Sequence, residues 1–144
     1  MRALAVLLLT TAIAGAGAAG RQFSATVVQS DGAYPIPVVL EDQTRLVTAI
    51  EPVILDFSSG GLPVVDGAPD DHDAVVVTWG TGACDDDVRL TFTGSAAAYR
   101  LDIEVHNGFD LGCSAQIVLR ALRIRFSQAI TPDSITVAGG MTLS

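Results

Sequence analysis

Hydrophobic and polar residues alternate along two segments in the second half of the chain. In residues 88–93, Val88, Leu90 and Phe92 share one face of an extended chain and polar residues share the other. Residues 99–106, YRLDIEVH, repeat the pattern. An alternation of period two is typical of a strand with one buried face. Both segments are therefore predicted to be half-buried β-strands.

Most of the remaining chain reads as short β-branched runs broken by Gly, Pro, Asp and Ser. Residues 117–126 partly match helical spacing, but their alternating end favours a strand. Arg120 falls on the apolar phase of that segment, which predicts a bulge or a change of phase near it. Pro52 is expected to separate two strands. The other predicted strands are 23–29, 38–42, 46–51, 53–57, 74–79 and 134–138, with 62–65 as a candidate edge strand.

Many short strands joined by turns predict an all-β fold. We expect an antiparallel β-sandwich, or a small open barrel, of about 7–9 short strands in a single domain. Residues 74–79, 88–93, 99–106 and 117–126 are expected to form an antiparallel meander. Arg123 and Arg125 would then face Asp102 and Glu104 across neighbouring strands.

The N-terminus has the layout of a secretory signal peptide. Arg2 precedes the apolar run 3–13, and small residues in A-x-A spacing follow. We predict a signal peptide at 1–18 and a single all-β domain at 19–144. The alternative is an uncleaved membrane anchor, but the run is rich in Ala and Gly and no basic cluster follows it.

Charge and composition limit the classes of partner that the protein is expected to bind. The chain carries a formal net charge of −8, and all of its basic side chains other than histidine are arginines. An acidic surface repels phosphate backbones and anionic lipid, so nucleic acid and membrane surfaces are disfavoured partners. The lysine-free composition is typical of a GC-rich bacterial genome. These features predict a soluble protein that is secreted or lies on the cell-envelope exterior.

The chain has two cysteines, Cys84 and Cys113. An even number of cysteines in an exported protein predicts a disulfide bond. In the expected meander, Cys84 lies in the first connection and Cys113 in the third, and these connections meet at one end of the sheet. Trp79 precedes both cysteines, so the immunoglobulin pattern of a Trp between two Cys is absent. Trp79 shares the phase of the apolar residues of its strand and is predicted to be core.

The candidate binding loop combines an acidic run with an apolar tip. The acidic run is Asp85, Asp86 and Asp87, and the tip is Phe109 and Leu111. Loops at one end of a sandwich are where binding residues collect. A calcium site is the alternative for the Asp residues, with Asp70, Asp71 and Asp73 in residues 69–73 as a second acidic cluster, but neither stretch matches the calcium-loop motif. We predict no metal and no cofactor.

No catalytic residues are predicted. His72 and His106 are the only histidines, no zinc-ligand spacing occurs, and the nucleophile elbow of serine hydrolases is absent. The prediction is a non-enzymatic extracellular binding or structural module whose partner is a protein or a glycan. The alternative is a small secreted hydrolase or a calcium-dependent carbohydrate-binding module. A carbohydrate binder would need exposed aromatic rings, for which Tyr34, Trp79 and Phe109 are the candidates.

Overall fold

The computed structural model describes residues 20–28, 35–54, 64–67, 72–82, 85–96, 98–107 and 117–143. These ranges contain nine β-strands and one short 3-10 helix, Pro132–Ser134. The strands are β1 Arg21–Val27, β2 Ile36–Asp42, β3 Val47–Val53, β4 Val64–Gly67, β5 Ala74–Gly82, β6 Asp85–Ser95, β7 Ala98–Asn107, β8 Ile117–Phe126 and β9 Ile135–Leu143. In the part of the chain described here, no helix is long and apolar enough to cross a membrane. The proposed signal peptide lies outside these ranges.

The strands form two sheets that are not closed into a barrel, as in a β-sandwich. Sheet A has the order β1-β2-β6-β7-β9, and sheet B has the order β3-β8-β5-β4. The prediction of an all-β fold is confirmed, but the prediction of wholly antiparallel pairing is wrong. β2 pairs with β6, and β7 pairs with β9, in parallel. Alternation predicts which face of a strand is buried, whereas it carries no information about the direction of the neighbouring strand.

The core lies between the two sheets. Val88, Leu90 and Phe92 of β6 point inward as predicted and are buried. The inward residues of β7, from Tyr99 to Val105, are buried as well. Trp79 is 1% exposed and belongs to the same apolar cluster, which confirms its predicted place in the core. The alternating pattern therefore located the buried face of these strands correctly.

Two local predictions are wrong. β3 continues through Pro52 to Val53, because it is an edge strand and an edge strand can accommodate a residue without an N–H donor. Arg120 causes no bulge, since β5 and β8 pair in continuous register from Ala74 to Gly82. Of the predicted edge strand at 62–65, residues 64 and 65 lie in β4 at the edge of sheet B, and residues 62 and 63 lie outside the described ranges.

The predicted meander is also wrong. β6 and β7 form a hairpin in sheet A, whereas β5 and β8 pair with each other in sheet B. The β5–β6 and β7–β8 connections therefore both pass from one sheet to the other. Arg123 and Arg125 consequently pair with Glu51 on β3, with N–O distances of 3.4 and 2.6 Å, and not with Asp102 and Glu104.

Both of these connections lie at the same end of the sandwich, because Gly82 pairs with Ile117 and Asp85 pairs with Asn107. The ladder pairing of Val27 with Ile36 places the β1–β2 connection at this end too. We call it the loop end and define it by these six strand-terminal residues. The two cysteines lie outside the described residues, in the β5–β6 and β7–β8 connections.

The opposite end is held by a buried carboxylate. Asp42, fully buried at the end of β2, accepts hydrogen bonds from the Thr44 N–H and hydroxyl at 2.8 and 2.6 Å. It also accepts one from the Val47 N–H at 3.0 Å, at the start of β3. Arg21 donates to the carbonyl oxygens of Arg45 and Val47 at 2.6 and 2.8 Å. These bonds tie sheet A to sheet B where the chain passes between them.

Candidate functional site

The acidic run at the start of β6 is split by a β-bulge. The register against β7 shifts between Asp85, which pairs with Asn107, and Asp87, which pairs with His106. Asp86 is the additional residue and is exposed. Because the bulge inserts one residue without a ladder partner, the side chains on either side of it belong to opposite faces of the strand. The three consecutive Asp residues therefore have three different environments.

Asp85 lies on the core side, close to a buried arginine. Arg120 is 1% exposed, and its Nη1 donates to the carbonyl oxygen of Val27 at 3.0 Å. Burial lowers the pKa of Arg120, and the negative charge of Asp85 opposes that effect. An isolated charge inside a protein is unfavourable unless it is paired and hydrogen-bonded. Asp85 and the Val27 carbonyl together compensate the charge of Arg120 inside the loop end.

Trp79 is directly opposite Arg120 on the neighbouring strand. Its indole is buried, and its Nε1 has no hydrogen-bond partner among the described residues. Near the loop end, the core therefore includes the charged Arg120 and the indole N–H of Trp79, just as it includes the buried Asp42 at the opposite end.

Asp87 lies on the outer face of sheet A, where it contacts His106. The His106 Nδ1 is 2.5 Å from the Asp87 Oδ1, and its Nε2 is 2.9 Å from the Glu104 Oε1. Hydrogen bonds to the carboxylates of Glu104 and Asp87 raise the pKa of His106. The side chains are partly exposed, at 29% for His106, 37% for Asp87 and 55% for Glu104. The cluster joins the start of β6 to the end of β7.

The surroundings of His106 determine what acid–base or metal chemistry it could perform. Both ring nitrogens of His106 are occupied by carboxylates, which leaves neither to activate a nucleophile in this conformation. Asp87 and Glu104 bind opposite sides of the ring, so one ion could not reach all three groups. Among the described residues, no group of three or more His, Cys, Asp or Glu side chains is placed to hold a metal ion.

The remaining predicted site residues fall in other places. Phe109 and Leu111 lie in the β7–β8 connection, and Tyr34 in the β1–β2 connection, all outside the described residues. His72 is exposed at the opposite end, beside the start of β5.

Sequence reasoning missed the partners of Asp85 and His106. The position of Arg120 on the apolar phase of β8 indicated that it could lie inside and need an acidic partner. The position of Glu104 two residues before His106, on the same strand face, indicated that the two side chains could meet.

Comparisons with known proteins add no relative. No family model matches the sequence, and neither a curated protein nor a solved structure is significantly similar to it. Any function must therefore be argued from the residues themselves.

Proposed function

We propose that this protein is an exported, soluble β-sandwich that acts as a non-enzymatic binding module outside the cell, and that it binds its partner at the loop end. The observation that supports this most directly is the split acidic run. Asp85 faces inward beside Arg120, while Asp86 and Asp87 are presented outward from the same strand start. Charged side chains on a fixed backbone lose little entropy on binding, which favours a specific contact.

The partner is a protein with a basic rim. The loop end presents Asp86, Asp87 and Glu104, and the whole chain carries a net charge of −8. Opposite charge on a partner accelerates encounter and selects against acidic competitors. Phe109 and Leu111 are proposed as the apolar centre of the contact. Nucleic acid and membranes are not proposed as partners, because their phosphates would be repelled.

A glycan is the less favoured partner. Glycan-binding sites usually stack sugars on exposed aromatic rings, and Trp79, one of the three candidate rings, is buried in the core. The hydrolase alternative is weakened by the double engagement of His106. The calcium alternative is weakened because Asp85, Asp86 and Asp87 face different directions. Protein recognition at the loop end remains the better supported role.

The proposal is tested by capture from the extracellular fraction of the native host on immobilised mature protein. Wild type, Asp86→Lys and Asp133→Lys are compared, because Asp86 and Asp133 are both exposed but lie at opposite ends of the sandwich. Asp86→Lys is expected to lose the captured protein, and Asp133→Lys is expected to retain it. Loss in both variants would indicate non-specific attraction to acidic protein, and retention in both would place the site elsewhere.

A further inference from the structure

The four edge strands of the sandwich differ in how they avoid pairing with other chains. An edge strand presents N–H and C=O groups on its unpaired side, and proteins protect such edges with charges, prolines, bulges or short length. Among the described strands, the edges are β1 and β9 in sheet A, and β3 and β4 in sheet B. Three of them show such protection.

β3 has Glu51, Pro52 and a register irregularity near its start. β4 is only four residues long and includes an aspartate. β1 begins with Arg21, whose guanidinium donates to the carbonyl oxygens of Arg45 and Val47 and so fastens this edge to sheet B. A further strand added at any of these positions would meet a charge, a missing donor or too short a ladder.

β9 has none of these features. Its sequence, ITVAGGMTL, contains no charged residue and no proline over nine residues. Its pairing with β7 runs without a register shift from Ile135 to Leu143. Thr136 and Gly139 are exposed. It is the longest of the four edges and the only one of them without a charged residue.

We propose that β9 is a self-association edge at which a second copy of this chain adds its own β9, extending sheet A across a two-fold axis. Two copies with a net charge of −8 repel one another, so edge-to-edge contact is least opposed at the one edge strand that carries no charge of its own. A two-fold axis places the same strand on both sides of the contact, which joins two uncharged edges. Because a single strand pair buries little area, the dimer is weak and depends on concentration.

The test is analytical ultracentrifugation of the mature protein over about a hundredfold range of concentration. The test variant is Thr136→Lys with Ala138→Lys, which places charge on β9. The control is Ser24→Lys with Thr26→Lys, which places the same charge on the outer face of β1, at the other edge of the same sheet. Both variants change the net charge equally, so any general decrease in the electrostatic repulsion between two copies affects them alike.

The wild type and the β1 variant are expected to shift from monomer to dimer with rising concentration, and the β9 variant is expected to stay monomeric with an unchanged circular dichroism spectrum. A monomeric wild type at all concentrations would overturn the proposal. So would a β9 variant that dimerises as the wild type does, or a β1 variant that loses the dimer.

Discussion

At the residue scale, buried or paired charged side chains are the ones whose partners the sequence pattern predicted least well. Hydrophobic alternation predicted where Trp79 and Phe92 would lie, because apolar burial follows directly from strand phase. It also placed Arg120 on the apolar phase of its strand, but a bulge or change of phase was expected there, and the register in fact continues through Arg120. A buried arginine needs partners from distant parts of the chain, here the Val27 carbonyl and Asp85, and such pairs depend on the topology.

Asp42 is expected to be the most sensitive polar residue of the described core. Its carboxylate accepts three hydrogen bonds at the passage from β2 to β3, two of them from backbone N–H groups. Asp42→Ala leaves these donors unsatisfied and should destabilise the protein by about 3 kcal/mol, since a hydrogen bond to a charged group contributes about 1.5–3 kcal/mol. Urea denaturation measures the change. Asp102→Ala, which removes a partly exposed ion pair with Arg100, should cost less than about 1 kcal/mol.

His106 makes stability depend on pH near neutrality. Its pKa in the folded protein lies above the ordinary value of 6.5, because Glu104 and Asp87 accept its hydrogen bonds. A raised pKa means that the charged ring stabilises the fold fully below pH 6.5, and that this contribution disappears as pH rises through the folded-state pKa. The difference in free energy of unfolding between wild type and His106→Gln should therefore shrink as the pH rises from 6.5 through the folded-state pKa of His106.

NMR titration of the His106 ring measures the pKa directly. Glu104→Gln should move the His106 pKa back toward 6.5, since the hydrogen bond to Glu104 is the largest single cause of the raised pKa. A titration that is unchanged in this variant would show that Glu104 does not raise the pKa of the His106 ring.

At the scale of elements, the positions of the strands along the chain were easier to predict than which strands pair with one another. The strands β5 to β8 were located close to their observed bounds, because each has its own pattern and flanking turn residues. Their assignment to two sheets was missed. Alternation is the same for a strand whichever sheet it joins, and only tertiary packing decides between the two.

β9 depends on one glycine. Gly139 has φ +103°, a conformation that L side chains rarely adopt, and a Cβ placed there would overlap the carbonyl oxygen of Ile103 on β7. Where alanine fits the backbone, replacing glycine stabilises a protein by up to about 1 kcal/mol, and where it does not fit, the loss is larger than that gain. Gly139→Ala should therefore destabilise the protein by more than about 1 kcal/mol. The neighbouring change Ala138→Gly should cost about 1 kcal/mol or less. Thermal unfolding of both variants gives the comparison, and a harmless Gly139→Ala would argue against this path for β9.

At the scale of the whole molecule, the loop end joins the two sheets. The predicted meander, which would bring Cys84 and Cys113 to one end of a single sheet, does not form. The observed topology still brings the two cysteine-bearing connections to one end, since Gly82 pairs with Ile117 and Asp85 with Asn107. The disulfide therefore remains a prediction on a different topological basis.

If the disulfide forms, it closes a loop of about 30 residues and contributes roughly 3–4 kcal/mol in the chain-entropy model. Native exported protein should then contain no titratable thiol, and reduction should lower the melting temperature by several degrees. Reaction of both cysteines with a thiol reagent in the native protein would refute the bond.

We propose the loop end as the binding surface of this protein, and this claim can be tested by NMR titration of isotope-labelled mature protein with a hexa-arginine peptide. Amide shifts are expected to concentrate at residues 85–87 and 104–107, where the split acidic run and the His106 cluster lie, and to fade toward Asp73 and Asp133. Asp86→Lys should abolish those shifts. Shifts centred on the opposite end, or spread evenly over all acidic residues, would contradict the claim.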